Sequence, residues 1–147
     1  MEKDESAEDG LEQMEKILQR AGVGRIALCD GSMPYLVPVN FLYHEKKIAF
    51  HCAWEGKKLD LIRKNPNCCF EVDEFMGEVS YHYEDRCHLD YDSVLAFGKA
   101  RVENDEEKEI RFLQLFPRNI LRFIGNLSQK AGKGLAWIAY QSVVVSL

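Results

Sequence analysis

The order of apolar and polar residues predicts one amphipathic helix followed by a series of strands. Leu11, Met14, Ile17 and Leu18 recur at helical spacing, which predicts a helix over residues 11–20. Apolar runs that are bounded by glycine, proline, asparagine or aspartate are typical of strands. Such runs predict strands over residues 23–29, 35–43, 48–53, 68–72, 91–102 and 135–147.

Further helices are predicted between these strands, over residues 57–64, 105–116 and 120–124. Asn104 or Asp105 is the expected N-cap of the second of them. Residues 74–86 mix glycine, acidic and aromatic residues without a period. They predict an irregular loop near a ligand.

Two residues inside the strands indicate special backbone positions. Pro38 has no amide to donate to a ladder, so it predicts a bulge or an edge position that leaves backbone open to a ligand. Gly98 predicts a bend or a close backbone approach, as needed when a sheet curls into a barrel. The order of elements lacks the crossovers of a parallel sheet. The prediction is a mainly β fold with helical insertions, closed as an antiparallel barrel.

Composition and charge limit the classes of protein. The length of 147 residues predicts a single domain over residues 11–147, preceded by an acidic flexible leader over residues 1–10. The leader carries much of the net charge of −5, so the body is close to neutral and lacks the basic face of a nucleic-acid-binding protein. No apolar run approaches the roughly 20 residues of a membrane span, and no signal peptide is evident. A cytoplasmic protein with no membrane partner is expected.

Cysteine and histidine spacing favours no metal site. The five cysteines form no Cys-x-x-Cys pair, which argues against a disulfide framework and a zinc ribbon. His82, Cys87 and His88 are close in sequence, and zinc or haem binding there is a weak alternative. A serine hydrolase is disfavoured because no Gly-x-Ser-x-Gly elbow occurs.

The strongest candidate chemistry lies where Gly56 opens a short helix that begins with Lys57 and Lys58. Backbone amides without partners in a first helical turn, together with adjacent cations, form a natural site for a phosphate. The alternative is a pair of solvated lysines, which is the usual role of adjacent lysines.

Five motifs occur in a characteristic order. They are Pro38-Val39-Asn40-Phe41, Phe50-His51-Cys52-Ala53, Gly56-Lys57-Lys58-Leu59-Asp60, Asn65-Pro66 and Cys69-Phe70-Glu71-Val72-Asp73. In this order they resemble the flavin-binding split-barrel family, which includes the pyridoxamine 5′-phosphate oxidases and the nitroimidazole-resistance proteins. The likeness is strongest to the second group. The resemblance implies an antiparallel split β-barrel of the FMN-binding type.

The resemblance also implies a set of cofactor contacts. Lys58 matches the family's phosphate-binding lysine, whereas Lys57 lies where the nitroimidazole-resistance proteins often carry histidine. Asn40 is expected to contact FMN, because burying a side-chain amide in a core requires several hydrogen-bond partners. The full set of expected FMN contacts is Pro38, Val39, Asn40, Phe41, His51, Cys52, Ala53, Lys57, Lys58 and Ser93. Core roles remain open for Val39 and Phe41, as does a structural role for His51.

One departure affects the phosphate site that the resemblance implies. Related chains often have an arginine before the serine that matches Ser93, whereas this chain has Asp92. Losing that cation would weaken the binding of an anionic cofactor, and Lys99 or Arg101 are the residues that would have to compensate.

The functional hypothesis is an FMN-dependent oxidoreductase that passes electrons from a reduced nicotinamide to a small acceptor, with the redox chemistry belonging to the cofactor. No residue is an unambiguous proton donor, so a flavin or ligand carrier or sensor without turnover is the alternative. A homodimer with the cofactor at the subunit interface is expected, because split-barrel flavoproteins pair to complete their sites and this chain is rich in aromatic residues.

Overall fold

The computed structural model describes residues 7–53, 55–82, 86–115 and 141–147. Three helices are present in these residues: α1 (Ala7–Arg20), α2 (Lys57–Lys64) and α3 (Glu106–Leu115). The strands are β1 (Val23–Cys29), β2 (Pro34–His44), β3 (Lys47–Cys52), β4 (Asn67–His82), β5 (Arg86–Val102) and β6 (Gln141–Ser146).

The strands close into an antiparallel barrel in the order β1-β2-β3-β6-β5-β4. Strand β6 completes the ring because it pairs with strands on both sides. It pairs with β3 from Lys47↔Ser146 to Cys52↔Gln141, and with β5 from Lys99↔Ser146 to Val102↔Val143. The predicted mainly β, antiparallel barrel with helical insertions is therefore confirmed. The final strand falls within the predicted range of 135–147, although residues 135–140 lie outside the described part of the chain.

The barrel interior is filled by apolar side chains from every strand. Alternation along β1 buries Ile26 and Leu28 on one side, and Phe50, Phe70 and Val143 are among the fully buried residues that meet them. The rings of Phe41 and Phe70 pack edge to face with centroids 4.9 Å apart. Side chains therefore fill the barrel, and a ligand site has to lie on its rim or outer surface.

Helices α1 and α2 pack on different parts of the barrel. Helix α1 contacts β2, β4 and β5, where the Tyr43 hydroxyl donates to the Glu15 carboxylate at 2.7 Å. Helix α2 buries Leu59, Leu61 and Ile62 and contacts β1 and β5. The Asn65 side chain, just after α2, donates to the Cys29 carbonyl at 2.9 Å and fixes the helix end to β1.

The prediction of a loop over residues 74–86 is wrong for residues 74–82 and for residue 86, while residues 83–85 lie outside the described part of the chain. Strands β4 and β5 instead continue as a long hairpin, paired from Asn67↔Lys99 to His82↔Arg86 with an irregularity between Phe75 and Val79. The segment lacks a clear apolar period, but its backbone groups find partners in β5. Cross-strand pairing therefore outweighs the weak local preference.

The helix ends differ slightly from the predictions. Helix α1 begins at Ala7 rather than at residue 11, since alanine and glutamate extend it and acidic residues favour a helix N-terminus. Asp105 is the N-cap of α3, as predicted, and accepts the Glu107 amide at 3.1 Å. The predicted helix over residues 120–124 lies outside the described residues. Among the helices described, none has the length and apolarity that crossing a membrane requires.

Pro38 lies in regular register opposite Arg25, so the predicted bulge is absent and the predicted edge position is correct. The Phe41 amide donates to Gly22, and alternation along β2 then directs the backbone of Pro38 and Asn40 away from β1. Strand β2 pairs with β3 only from Phe41↔Phe50 to His44↔Lys47. Proline is tolerated because its missing amide would face this open edge.

Gly98 forms the close approach that the sequence predicts. A Cβ atom at this position would collide with the backbone carbonyl of Ser146 and crowd the Val145 side chain. Backbone atoms cannot move aside as a flexible side chain can. Glycine at 98 is therefore required where β5 meets β6.

Gly98→Ala should destabilise the protein by about 1–3 kcal/mol, because overpacking against fixed backbone strains the seam that closes the barrel. Gly22→Ala is the matched control, since a Cβ at Gly22 meets no atom within 4 Å. Urea unfolding of both variants measures the effect. Equal stability of the two variants would contradict the role given to Gly98.

Candidate functional site

The candidate site lies where β2 and β3 separate. Beyond the Phe41↔Phe50 pair, His51 and Cys52 pair with β6, and β2 continues without them. The chain then passes from β3 into α2. A cavity of about 190 Å³ opens between these parts, lined by Tyr35, Cys52, Ala53, Glu55, Gly56, Lys57, Lys58 and Leu59.

The N-terminus of α2 opens onto this cavity. Gly56 has a φ of 140° and a ψ of 165°, a conformation that only glycine adopts readily. The first intrahelical bond runs from the Asp60 amide to the Gly56 carbonyl at 3.2 Å. The amides of Lys57, Lys58 and Leu59 therefore precede the helical ladder, and the helix has no side-chain cap hydrogen bond. These three amides are donors for an anion.

Two lysine ammonium groups border the same helix end. The Lys57 Nζ atom lies 5.1 Å from the centroid of the Tyr35 ring, and the Lys58 Nζ atom lies 5.4 Å from that of Phe50. Within the described residues, neither lysine forms an ion pair. Among the described residues of the lining, Glu55 is the one acidic side chain, so these residues together carry a net positive charge.

Tyr35 is a site residue that sequence reasoning missed. It stands at the start of β2, far along the chain from the lysines, and no local motif marks it. Its position depends on β2 continuing past the point where β3 leaves it. The aromatic ring beside Lys57 adds a hydroxyl to a cavity wall that is otherwise formed by the 52–59 segment.

Burial determines the protonation of the two titratable residues at the end of β3. Burial lowers the pKa of His51, which keeps the imidazole neutral at pH 7. Burial also raises the pKa of the Cys52 thiol, and the nearby cations Lys58 and Arg63 oppose this shift in part. Cys52 is thus a neutral thiol that can contact a ligand by packing, and it lacks the thiolate character of a nucleophile.

The structure brings together four of the predicted site residues. Cys52, Ala53, Lys57 and Lys58 line the one cavity. Pro38 and Asn40 are exposed on the open edge of β2, and His51 is half-buried at the point of separation. The side chains of Val39 and Phe41 are 6% exposed and belong to the core, so only their backbone could contact a ligand.

Ser93 lies apart from this cavity in the protomer. It is exposed on β5 opposite Asp73 of β4, and β1 separates β4 from β2. Ser93 is not among the described residues that line the cavity at α2.

Asp92 is near Arg20 of α1. The Arg20 guanidinium lies 3.8 Å from the Asp92 carboxylate and donates to Glu74 at 2.7 Å. Neither Lys99 nor Arg101 is among the residues that line the cavity at α2, and Arg101 pairs with Glu103 at 2.8 Å. The side chains of His82, Cys87 and His88 lie outside those described.

Comparisons with known proteins agree with this architecture. A family model described as pyridoxamine 5′-phosphate oxidase matches residues 11–128. An uncharacterized protein of Rhizobium meliloti is 26% identical over 65 residues, which is 44% of this chain and 42% of that relative. The matched region thus spans less than half of the length of this relative.

Solved structures share the fold. An FAD-binding protein from Mesorhizobium loti is similar with a TM-score of 0.66 and 21% identity, over 97% of this chain and 90% of the other. A protein from Bacteroides thetaiotaomicron assigned to 5-nitroimidazole antibiotic resistance gives a TM-score of 0.70 and 19% identity, over 91% and 77%. Because the family model covers most of the chain, the protein belongs to the pyridoxamine 5′-phosphate oxidase family.

Proposed function

We propose that the protein binds FMN, with the phosphate at the N-terminus of α2. The single observation that supports this most strongly is the convergence of three backbone amides and two lysines on one cavity. A phosphomonoester carries a charge of about −1.5 to −2 at pH 7 and three acceptor oxygens. The helix end and the two ammonium groups match both properties.

The size of the cavity supports phosphate binding there and ring binding outside it. Pockets that enclose a whole small-molecule ligand measure about 300–1,000 Å³, whereas this cavity measures about 190 Å³. The flavin ring would extend toward the open edge of β2. There the backbone of Asn40 offers both a donor and an acceptor for the polar edge of the ring. His51 is neutral and therefore places no positive charge beside the ring.

We propose FMN rather than FAD as the cofactor. A terminal phosphomonoester exposes a dianion to the helix end, whereas each phosphate in the pyrophosphate of FAD carries a single charge. Two lysines and an uncapped first turn favour the dianion more strongly. The solved relative from Mesorhizobium loti is an FAD-binding protein, so both cofactors belong in any titration.

The proposed activity is oxidoreduction between a reduced nicotinamide and a small acceptor. The bound flavin would supply the two-electron chemistry, and this chain would hold the ring and limit its contact with water. Lys57 lines the cavity at α2, at the position where the nitroimidazole-resistance proteins often carry histidine, and its hydrated cation would favour an anionic acceptor over a neutral nitroarene.

A carrier or sensor without turnover is the second candidate. It is supported by the protonation of the site: His51 is neutral, and the thiol of Cys52 is held in its protonated form. Steady-state oxidation of reduced nicotinamide by the FMN-loaded protein separates the two functions. Turnover supports the oxidoreductase, and FMN binding without turnover supports the carrier.

The exposed apolar face of the barrel supports a homodimer. Register places Leu36, Ala27, Cys69 and Phe97 in one row across four strands, and Pro38, Arg25, Glu71 and Leu95 in the next. Leu36, Leu95 and Phe97 are 65%, 60% and 73% exposed. The Arg25 guanidinium is neutralised within the face by Glu71 at 3.4 Å and by Asp73. Such a contiguous patch is typical of an interface.

A second copy on this face would also explain the position of Ser93. Ser93 is not among the described residues that line the cavity at α2, yet it is exposed on the outer surface that also carries the apolar rows. We propose that the face pairs two copies and that Ser93 of one copy approaches the cofactor of the other. An isologous pair then contains two equivalent sites.

The proposed location is the cytoplasm. Within the part of the chain that the structure describes, Cys29, Cys68 and Cys69 are free thiols. Free thiols are typical of a reducing compartment, in which a reduced nicotinamide donor would also be present.

Lys58→Ala should weaken FMN binding about tenfold or more, because a charged hydrogen bond is worth about 1.5–3 kcal/mol. Lys64→Ala is the matched control, since Lys64 is on the same helix but outside the cavity lining. Flavin fluorescence titration measures both affinities. Unchanged affinity in Lys58→Ala, or an equal loss in Lys64→Ala, would overturn the phosphate assignment.

Phe97→Glu should convert the dimer into a monomer and weaken FMN binding, because it places a charge in the centre of the apolar face. Leu147→Glu changes another exposed apolar residue outside these rows and should leave the dimer intact. Light scattering reports the mass. A wild-type monomer of 17.0 kDa that retains FMN would refute the shared site.

A further inference from the structure

A second cavity, of about 520 Å³, lies between the β2–β3 turn, the end of β5 and α3. Its volume falls within the range of about 300–1,000 Å³ that is typical of small-molecule sites. It shares no lining residue with the cavity at α2. The five residue steps from Lys47 to Cys52 along β3 correspond to roughly 17 Å, so the two cavities are well separated.

The lining of this cavity is cationic. The described residues of the lining include four basic side chains and two carboxylates, an excess of two positive charges without counting His44, in a chain whose net charge is −5. The basic residues are Lys47, Arg101, Lys108 and Arg111, and the acidic residues are Glu45 and Glu103.

Of the four basic side chains, Arg101 and Lys108 form ion pairs within the described residues. Arg101 Nη1 lies 2.8 Å from Glu103 Oε2, and Glu103 is 4% exposed. The other oxygen of Glu103 accepts the Asp105 amide at 3.2 Å, so this carboxylate is fixed in place. Lys108 lies 3.5 Å from the Asp105 carboxylate on the surface.

Lys47 and Arg111 form no ion pair within the part of the chain that the structure describes. Lys47 begins β3 and Arg111 lies on α3, so the two cations come from opposite walls of the cavity. Gln114 adds amide donors, and Leu115, which is 45% exposed, adds apolar surface beside them. Charged donors together with an apolar wall match a small organic anion better than they match an inorganic ion.

We propose that this cavity binds a small organic dianion, with Lys47 and Arg111 as its charge contacts. An aromatic dicarboxylate and an aromatic phosphate monoester share the required chemistry. The buried Glu103 opposes the ligand charge, and its pairing with Arg101 leaves the other cations available. This site is independent of the FMN proposal, because its residues are all different.

The test is isothermal titration calorimetry of the full chain with phthalate, phenyl phosphate and inorganic phosphate. In the Lys58→Gln protein, whose proposed phosphate site at α2 is weakened, one aromatic dianion should bind with a 1:1 stoichiometry and more tightly than inorganic phosphate. The tighter of phthalate and phenyl phosphate identifies the head group. Lys47→Gln and Arg111→Gln should each weaken that binding about tenfold or more. Glu103→Gln should strengthen it about threefold or more, because it removes a like charge.

Two controls separate this site from the rest of the surface. Lys99→Gln removes an exposed charge outside both linings and should leave the affinity unchanged. Lys58→Gln removes a charge from the cavity at α2, so it should weaken only the additional binding of a phosphate group at that cavity and leave the binding that depends on Lys47 and Arg111. The proposal is overturned if neither aromatic dianion binds, if Lys47→Gln and Arg111→Gln leave affinity unchanged, or if Lys58→Gln removes binding. Circular dichroism establishes that each variant is folded.

Discussion

The separation of β2 from β3 beyond the Phe41↔Phe50 pair is the constraint on which the candidate site depends. Strand β3 continues by pairing with β6, which the closure of the barrel requires. Strand β2 is thereby left with one open edge, and the chain leaving β3 enters α2 beside it. Within the described residues, the Asn40 backbone has no β3 partner and the first turn of α2 has no side-chain cap, and both follow from this separation.

Charge is distributed in an unusual way for an acidic protein. Each end of the β2–β3 hairpin lies beside a cavity with a net positive lining, although the chain has a net charge of −5. Two other cations are neutralised within the fold, Arg20 by Glu74 and Arg25 by Glu71 and Asp73. Lys57 and Lys58 at one cavity, and Lys47 and Arg111 at the other, form no ion pair within the described residues and are therefore available to anionic ligands.

Much of the fold could be predicted from local patterns. Strand β1 and helix α2 match the predicted bounds. The sequence signals of both are local, since β1 shows alternating burial along its own residues and Gly56 directly precedes α2. Asp105 could be identified as a cap, and Gly98 as a close approach, for similar reasons. The 74–86 segment could not be identified as strand, because its preference for pairing comes from the opposing residues of β5.

The candidate site was predictable only in part. Lys57 and Lys58 could be found because glycine and a helix start adjoin them in sequence. Tyr35 could not, because its place beside Lys57 depends on how two distant segments meet. Strand parity directs the side chains of Val39 and Phe41 into the core, which was one of the two roles open from sequence, and contact through their backbone stays a prediction.

The most direct test of the phosphate site compares FMN with riboflavin, which differs only by lacking the phosphate. Equilibrium titration of the same protein with each compound isolates the free energy that the phosphate contributes. Two or more charged hydrogen bonds at the α2 N-terminus predict that FMN binds about a hundredfold more tightly. Equal affinity for the two compounds would contradict the phosphate site at α2.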